Sequence, residues 1–138
     1  MTPKAPQGAA PPPAQGQGSP ASNDPKLAER QQALEKKIGP GNFDAARMLA
    51  LCRHDSAIEL ARSAYTTADM QQRRGYALMI EAVAAEEKGD TASAAAVYPR
   101  LVEIEPGIGS TDKARSAPLS EVLKVQQVRK DYGRSPTC

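Results

Sequence analysis

The chain has 138 residues, with 12 prolines, 10 glycines, two cysteines, one histidine and a formal net charge of +2. That length holds one domain. The near-balance of charge and the scarcity of aromatics lack the basic stripe and stacking residues of a nucleic-acid binder, so no nucleic-acid partner is expected. No run approaches the roughly 18 apolar residues of a membrane span, so no integral span is expected either.

Residues 1–24 carry many of the prolines with Gly, Ala, Ser and Gln and almost no bulky apolar side chain, which predicts a disordered tail. Asp24-Pro25 then opens the ordered part, 25–133, as N-cap and first helical residue. Leu27, Leu34 and Ile38 recur on one face of a first helix that Gly39-Pro40-Gly41 stops. A second helix capped by Asn42 carries Phe43, Ala45, Ala46, Met48, Leu49 and Cys52. The chain turns at Arg53-His54-Asp55, and a third helix capped by Asp55 presents Ala57, Ile58, Ala61, Ala64 and Tyr65.

Asp69 caps the longest helix, to about Lys88, with Tyr76, Met79, Ile80, Val83 and Ala84 at i, i+3, i+4, i+7 and i+8 spacing. Gly89 ends it. Asp90 or Thr91 caps a fifth helix bearing Ala94, Val97, Tyr98, Leu101 and Ile104. Pro99 within it either kinks the helix or faces solvent. After Pro106 a loop runs to Asp112, and residues 113–117 have no clear signal. Pro118 suits the first turn of a final helix with Leu119, Val122, Leu123, Val125 and Val128. Gly133 stops it, leaving 134–138 frayed.

The fold class expected is all-α, built of antiparallel helix-turn-helix pairs. The stretch from Glu87-Lys88-Gly89-Asp90 through Ala94, Tyr98, Leu101 and Pro106 resembles the second half of a tetratricopeptide repeat. Small residues such as Ala94 let the two helices of a pair approach, the aromatic fills the gap to the next helix, and proline ends the unit. The match covers residues 75–106; Leu78 and Ala82 suit the family's bulky and small positions, whereas Glu81 and Ala85 replace its usual Leu and Tyr. Residues 42–68 match as a hairpin, with Ala57 and Ala61 as the equivalent packing positions. From Ala57 to Ala94 is 37 positions, near the family's period of about 34. The last helix would then cover the exposed face of the array.

Such repeats bind proteins. The resemblance implies a partner groove on the long helix, lined by Tyr76, Met79, Val83 and Glu86; the competing reading makes these residues core. Uncovered stripes on Leu27/Leu34 or Val122/Val125/Val128 would favour a homodimer.

Chemical motifs are sparse. His54 and Asp55 are adjacent and diverge on a helix, which suits a helix junction rather than a catalytic pair. Glu86-Glu87 reads as a solvated face. Gly107-Ile108-Gly109-Ser110 lacks the Lys-Ser/Thr of a phosphate loop. Arg47, Arg53, Arg62, Arg73 and Arg74 interleave with Asp44, Asp55, Glu59 and Asp69, as a salt-bridged surface does. Cys52 reads first as a small buried hydrophobe on an apolar face. Alternatively, in an oxidising compartment it pairs with Cys138 and pins the last helix to the body. Neither enzyme activity, metal nor cofactor is expected. The leading function is an adaptor holding a partner protein, with a client-holding chaperone as the alternative. A tail of this composition also follows cleaved signals or lipid anchors in bacterial envelope proteins; the alternatives are therefore a periplasmic or envelope location, or the cytoplasm.

Overall fold

Pro25 fits the first turn of α1 (Pro25–Ile38), where a missing N–H costs no hydrogen bond. The computed structural model describes residues 25–116, 129–131, 133–135 and 138. The expected tail, the Asp24 cap and most of the expected final helix lie outside them. The elements after α1 are α2 (Pro40–Ala50), α3 (His54–Thr67), α4 (Gln71–Glu87), α5 (Thr91–Ile104), a 3-10 turn (Pro106–Ile108) and α6 (Thr111–Ser116). The fold is all-α, with no strand among the described residues. The six residues of α6 fall partly in the expected loop: Ser110 Oγ accepts from Lys113 N at 3.2 Å and starts the helix that the sequence left unassigned.

Consecutive helices pack as neighbours, α2 on α3, α3 on α4 and α4 on α5, and α2 also touches α4. That last contact is the one the first helices of successive hairpins make in a stack. The second helices begin 37 residues apart, at His54 and Thr91; the first helices begin 31 apart, at Pro40 and Gln71.

Backbone geometry repeats at the same interval. After α4, Gly89 adopts φ 93°, its N–H donates to Glu86 O and the next N–H, of Asp90, reaches back to Ala85 O at 2.9 Å. After α2, Cys52 adopts φ 62°, its N–H donates to Leu49 O and the N–H of Arg53 reaches Met48 O at 2.9 Å. Both are Schellman stops, whose left-handed residue is normally glycine. Cys52 thus occupies the place of Gly89 in the other hairpin, 37 positions on. The sequence reading placed it on the apolar face of α2; the helix instead ends at Ala50, and Cys52 lies in the turn.

Three caps differ from expectation. Gly39 (φ 95°) is the N-cap of α2, and Asn42 lies a turn further in, 2% exposed, donating from Nδ2 to Ile38 O at 2.9 Å and Arg73 O at 2.8 Å. Asn42 therefore joins the α1–α2 corner to α4 instead of capping. A Cβ at Gly39 would meet Arg73 Cδ at 3.0 Å, so both φ and space demand glycine there. Arg53 and Met70 precede α3 and α4 without side-chain caps; Asp55 and Asp69 lie beside them and form ion pairs instead. Asp90 does cap α5, accepting from Ser93 N at 3.1 Å. Pro99 is inside α5 and exposed, so its ring faces water.

The core forms on both sides of α4. Tyr76, Ile80 and Ala84 pack with Ile38, Leu49, Ala57 and Ala61. Leu78, Ala82 and Ala85 pack with Ala94, Val97, Tyr98 and Leu101. A helix apolar on two faces is a central one, which a single-stripe reading of the long helix does not anticipate. Alanine makes up about half of both clusters, and the largest fully buried side chains among the described residues are Ile38, Leu49, Leu78, Ile80 and Leu101.

Candidate functional site

The groove expected on α4 is filled. Tyr76 is 7% exposed, and Met79 and Val83 are half-buried against the core; they are packing residues. Glu86 alone is open, and it accepts a hydrogen bond from the Tyr98 hydroxyl. Burial first, and Glu86 second, push the Tyr98 phenol up to about 12. The expected packing positions Ala57, Ala61, Ala94, Tyr98 and Leu101 are all buried, while Pro106 is exposed and starts the turn after α5. Leu27 is 3% exposed and Leu34 half-buried, so that stripe is not the uncovered one proposed for a homodimer. The Val122/Val125/Val128 stripe lies outside the described residues. No described helix is long and apolar enough to cross a membrane.

An open groove does exist, across α3, the C-terminal half of α4 and the start of α5. It encloses about 270 Å³, with Ile58 and Ala85 among its lining and Arg62, Glu81, Asp55 and Lys88 on its walls. Glu81, 6% exposed, accepts from Arg62 Nε at 3.0 Å. Asp55 and Lys88 pair across the helices. Their mutual hydrogen bond is the main cause of a lowered Asp55 carboxyl and a raised Lys88 ammonium. The hydrogen bonds of Ser93 hold Asp90 low as well. Arg62 with Glu81, Asp55 with Lys88 and Asp90 with Ser93 thus pair within the groove, and the wall carries both signs of charge.

The second cluster joins the C-terminus to the α2–α3 corner. Cys138 and Cys52 form a disulfide with Cα atoms 5.8 Å apart. This is the pairing the sequence held as an alternative; the free, buried-hydrophobe reading of Cys52 is replaced by it. Arg129, 2% exposed, donates to Ala50 O at 3.3 Å, a carbonyl at the end of α2, and to Leu49 O at 3.1 Å, which also accepts from Cys52 N. The same guanidinium reaches Glu87 Oε1 at 2.7 Å and Cys138 Sγ at 3.3 Å. His54 Nε2 donates to Glu87 Oε1 at 3.1 Å and lies 3.7 Å from Cys138 Sγ. Further along, Asp131 accepts from Arg30 of α1 at 2.9 Å. Residues 129–131 are helical, and Gly133 follows at φ 71° with Arg134 N donating back to Arg129 O at 2.7 Å.

The sequence missed the role of Glu87, reading Glu86-Glu87 as a solvated face. Only folding brings Glu87 to His54, 33 positions away, and to Arg129, 42 away. Donor atoms of His54, Glu87 and Cys138 lie within 4.8 Å of one another, the spacing of a metal-binding trio. The disulfide withdraws the thiolate that a metal would need, and the Arg129 charge is already on Glu87. No protein-family model matches the chain, and no curated protein or solved structure matches it.

Proposed function

We propose that this protein is a tetratricopeptide-like adaptor that holds a segment of a partner protein. The observation that carries the reading is the stacking of two hairpins, α2–α3 and α4–α5, with an open, charge-walled groove running across α3, α4 and α5. Helical hairpin arrays present such continuous surfaces, because each unit packs only on its neighbours and leaves one side of the stack to solvent. The apolar α4 groove implied by the family resemblance is not the surface used. A mixed-charge wall with Ile58 and Ala85 in its lining suits an extended segment carrying both charges and small apolar side chains. Exposed positions Glu59 and Arg62 offer the means to test it. Full-length protein immobilised in its oxidised form should retain a protein from its source cells. Glu59→Lys with Arg62→Glu should lose that protein while keeping the helical circular dichroism. Equal capture by the folded double variant would refute the groove. A partner retained stoichiometrically supports the adaptor, whereas one released on folding marks a client-holding chaperone.

A further inference from the structure

We propose that the Cys52–Cys138 disulfide is a thiol-exchange site in which a small anionic thiol attacks Cys52 and Cys138 leaves. Two features on opposite sides of the bond support this polarity. On the Cys52 side is an open depression of about 450 Å³, lined by Cys52, Arg53, His54, Asp55, Ser56 and Lys88. Arg53 and Lys88 against Asp55 leave its lining with one formal positive charge in excess, which favours an anionic thiol. On the Cys138 side, the buried Arg129 guanidinium donates to the sulfur at 3.3 Å, and the His54 imidazole stands 3.7 Å away. Glu87, 3.6 Å from that sulfur, opposes a negative charge, but Arg129 and His54 both already bind its carboxylate. A thiolate formed on Cys138 therefore emerges within hydrogen-bonding reach of a buried guanidinium whose charge it shares with Glu87. Cys52 instead lies in the turn between the C-terminal end of α2 and the N-terminal end of α3, whose opposed dipoles leave little net helix field to favour it as a thiolate. The sulfur better stabilised as thiolate leaves faster.

The step balances without an external oxidant. The incoming thiolate sulfur forms a bond to Cys52 Sγ, the Cys52–Cys138 bond breaks, and its electron pair departs on Cys138 Sγ. The product is a mixed disulfide at Cys52 and a free Cys138 thiolate, with the last residue no longer tied to the α2–α3 turn. The left-handed backbone of Cys52 holds its sulfur in that turn, at the edge of the depression.

The test uses full-length oxidised protein and glutathione as the probe thiol. The reaction is quenched early with acid, remaining thiols are alkylated, and the two cysteine peptides are read by mass spectrometry. Glutathione is expected on Cys52 and the alkyl group on Cys138. Glutathione predominantly on Cys138, an even mixture, or a disulfide that survives millimolar glutathione would each overturn the proposal. Arg129→Gln should slow the exchange about tenfold and shift glutathione toward Cys138. His54→Gln, on a less buried residue, is the companion variant should Arg129→Gln not fold, and it should shift the ratio in the same direction. An unchanged rate and ratio in the folded variants would remove the role assigned to Arg129 and His54.

Discussion

Replacing Cys138 by serine should remove a large part of the stability of this domain. The bond closes a loop over a sequence separation of 86 residues. In the chain-entropy account, a cross-link over that length restricts the unfolded chain by about 4.6 kcal/mol at 25 °C. Against a typical total of about 5–15 kcal/mol, and an alanine-rich core among the described residues, that is decisive. With a urea slope of about 2 kcal/mol per molar, the unfolding midpoint should fall by about 2 M. Equilibrium urea unfolding followed by circular dichroism measures this, and reduced wild type should coincide with the serine variant. A second arm isolates the backbone. In a Cys138→Ser background, Cys52→Gly should recover about 1 kcal/mol, because only glycine takes φ 62° without a Cβ clash. A loss under about 1 kcal/mol in the first arm would refute the entropic reasoning. Destabilisation by glycine in the second would refute the left-handed stop.

Ala94 is fully buried between α4 and α5, so Ala94→Leu should overpack the crossing and cost about 1–3 kcal/mol, read as a drop in Tm; an unchanged Tm would count against the hairpin. Arg62→Ala should leave the buried Glu81 carboxylate unpaired and destabilise by about 1–2 kcal/mol, the exposure of Arg62 keeping the loss below that of a fully buried pair. Tyr98 is raised, so its neutral phenol favours the fold. That contribution is complete below pH 10, the ordinary phenol value, and is lost as pH rises toward about 12. Ultraviolet titration of Glu86→Gln should show Tyr98 ionising at lower pH than in wild type. Asp90 is held low, so its support for α5 is present above the usual carboxylate value and fades as pH falls through the lowered one. Wild type and Asp90→Ala should therefore differ in stability at neutral pH and converge in strong acid.

Much of the fold was legible because its causes are local. Apolar spacing located the helices, Gly89 located a stop, and Asp90, one of the two cap candidates beside Thr91, is the real cap. The small residues Ala57, Ala61 and Ala94 announced close helix packing, and they are buried. Local rules failed where a tertiary partner competed for the same side chain. Asn42 was drawn from the cap position by the carbonyls of Ile38 and Arg73, and Asp55 by Lys88. The candidate site was least legible. Tyr76, Met79 and Val83 form a stripe that reads equally as groove or core, because periodicity says which residues share a face and nothing about what covers it. The arrangement of neighbours decided for core, since α4 is central and packs on both sides.

The sequence by itself determined an all-α chain of hairpins, since helix starts, stops and amphipathic faces depend on residues within a few positions of one another. Only the tertiary structure decided that Cys52 takes the backbone position of Gly89 and bonds to Cys138, and that Arg129 and His54 meet on Glu87. Contacts across 33 to 86 positions depend on how the helices pack, and no local spacing encodes them.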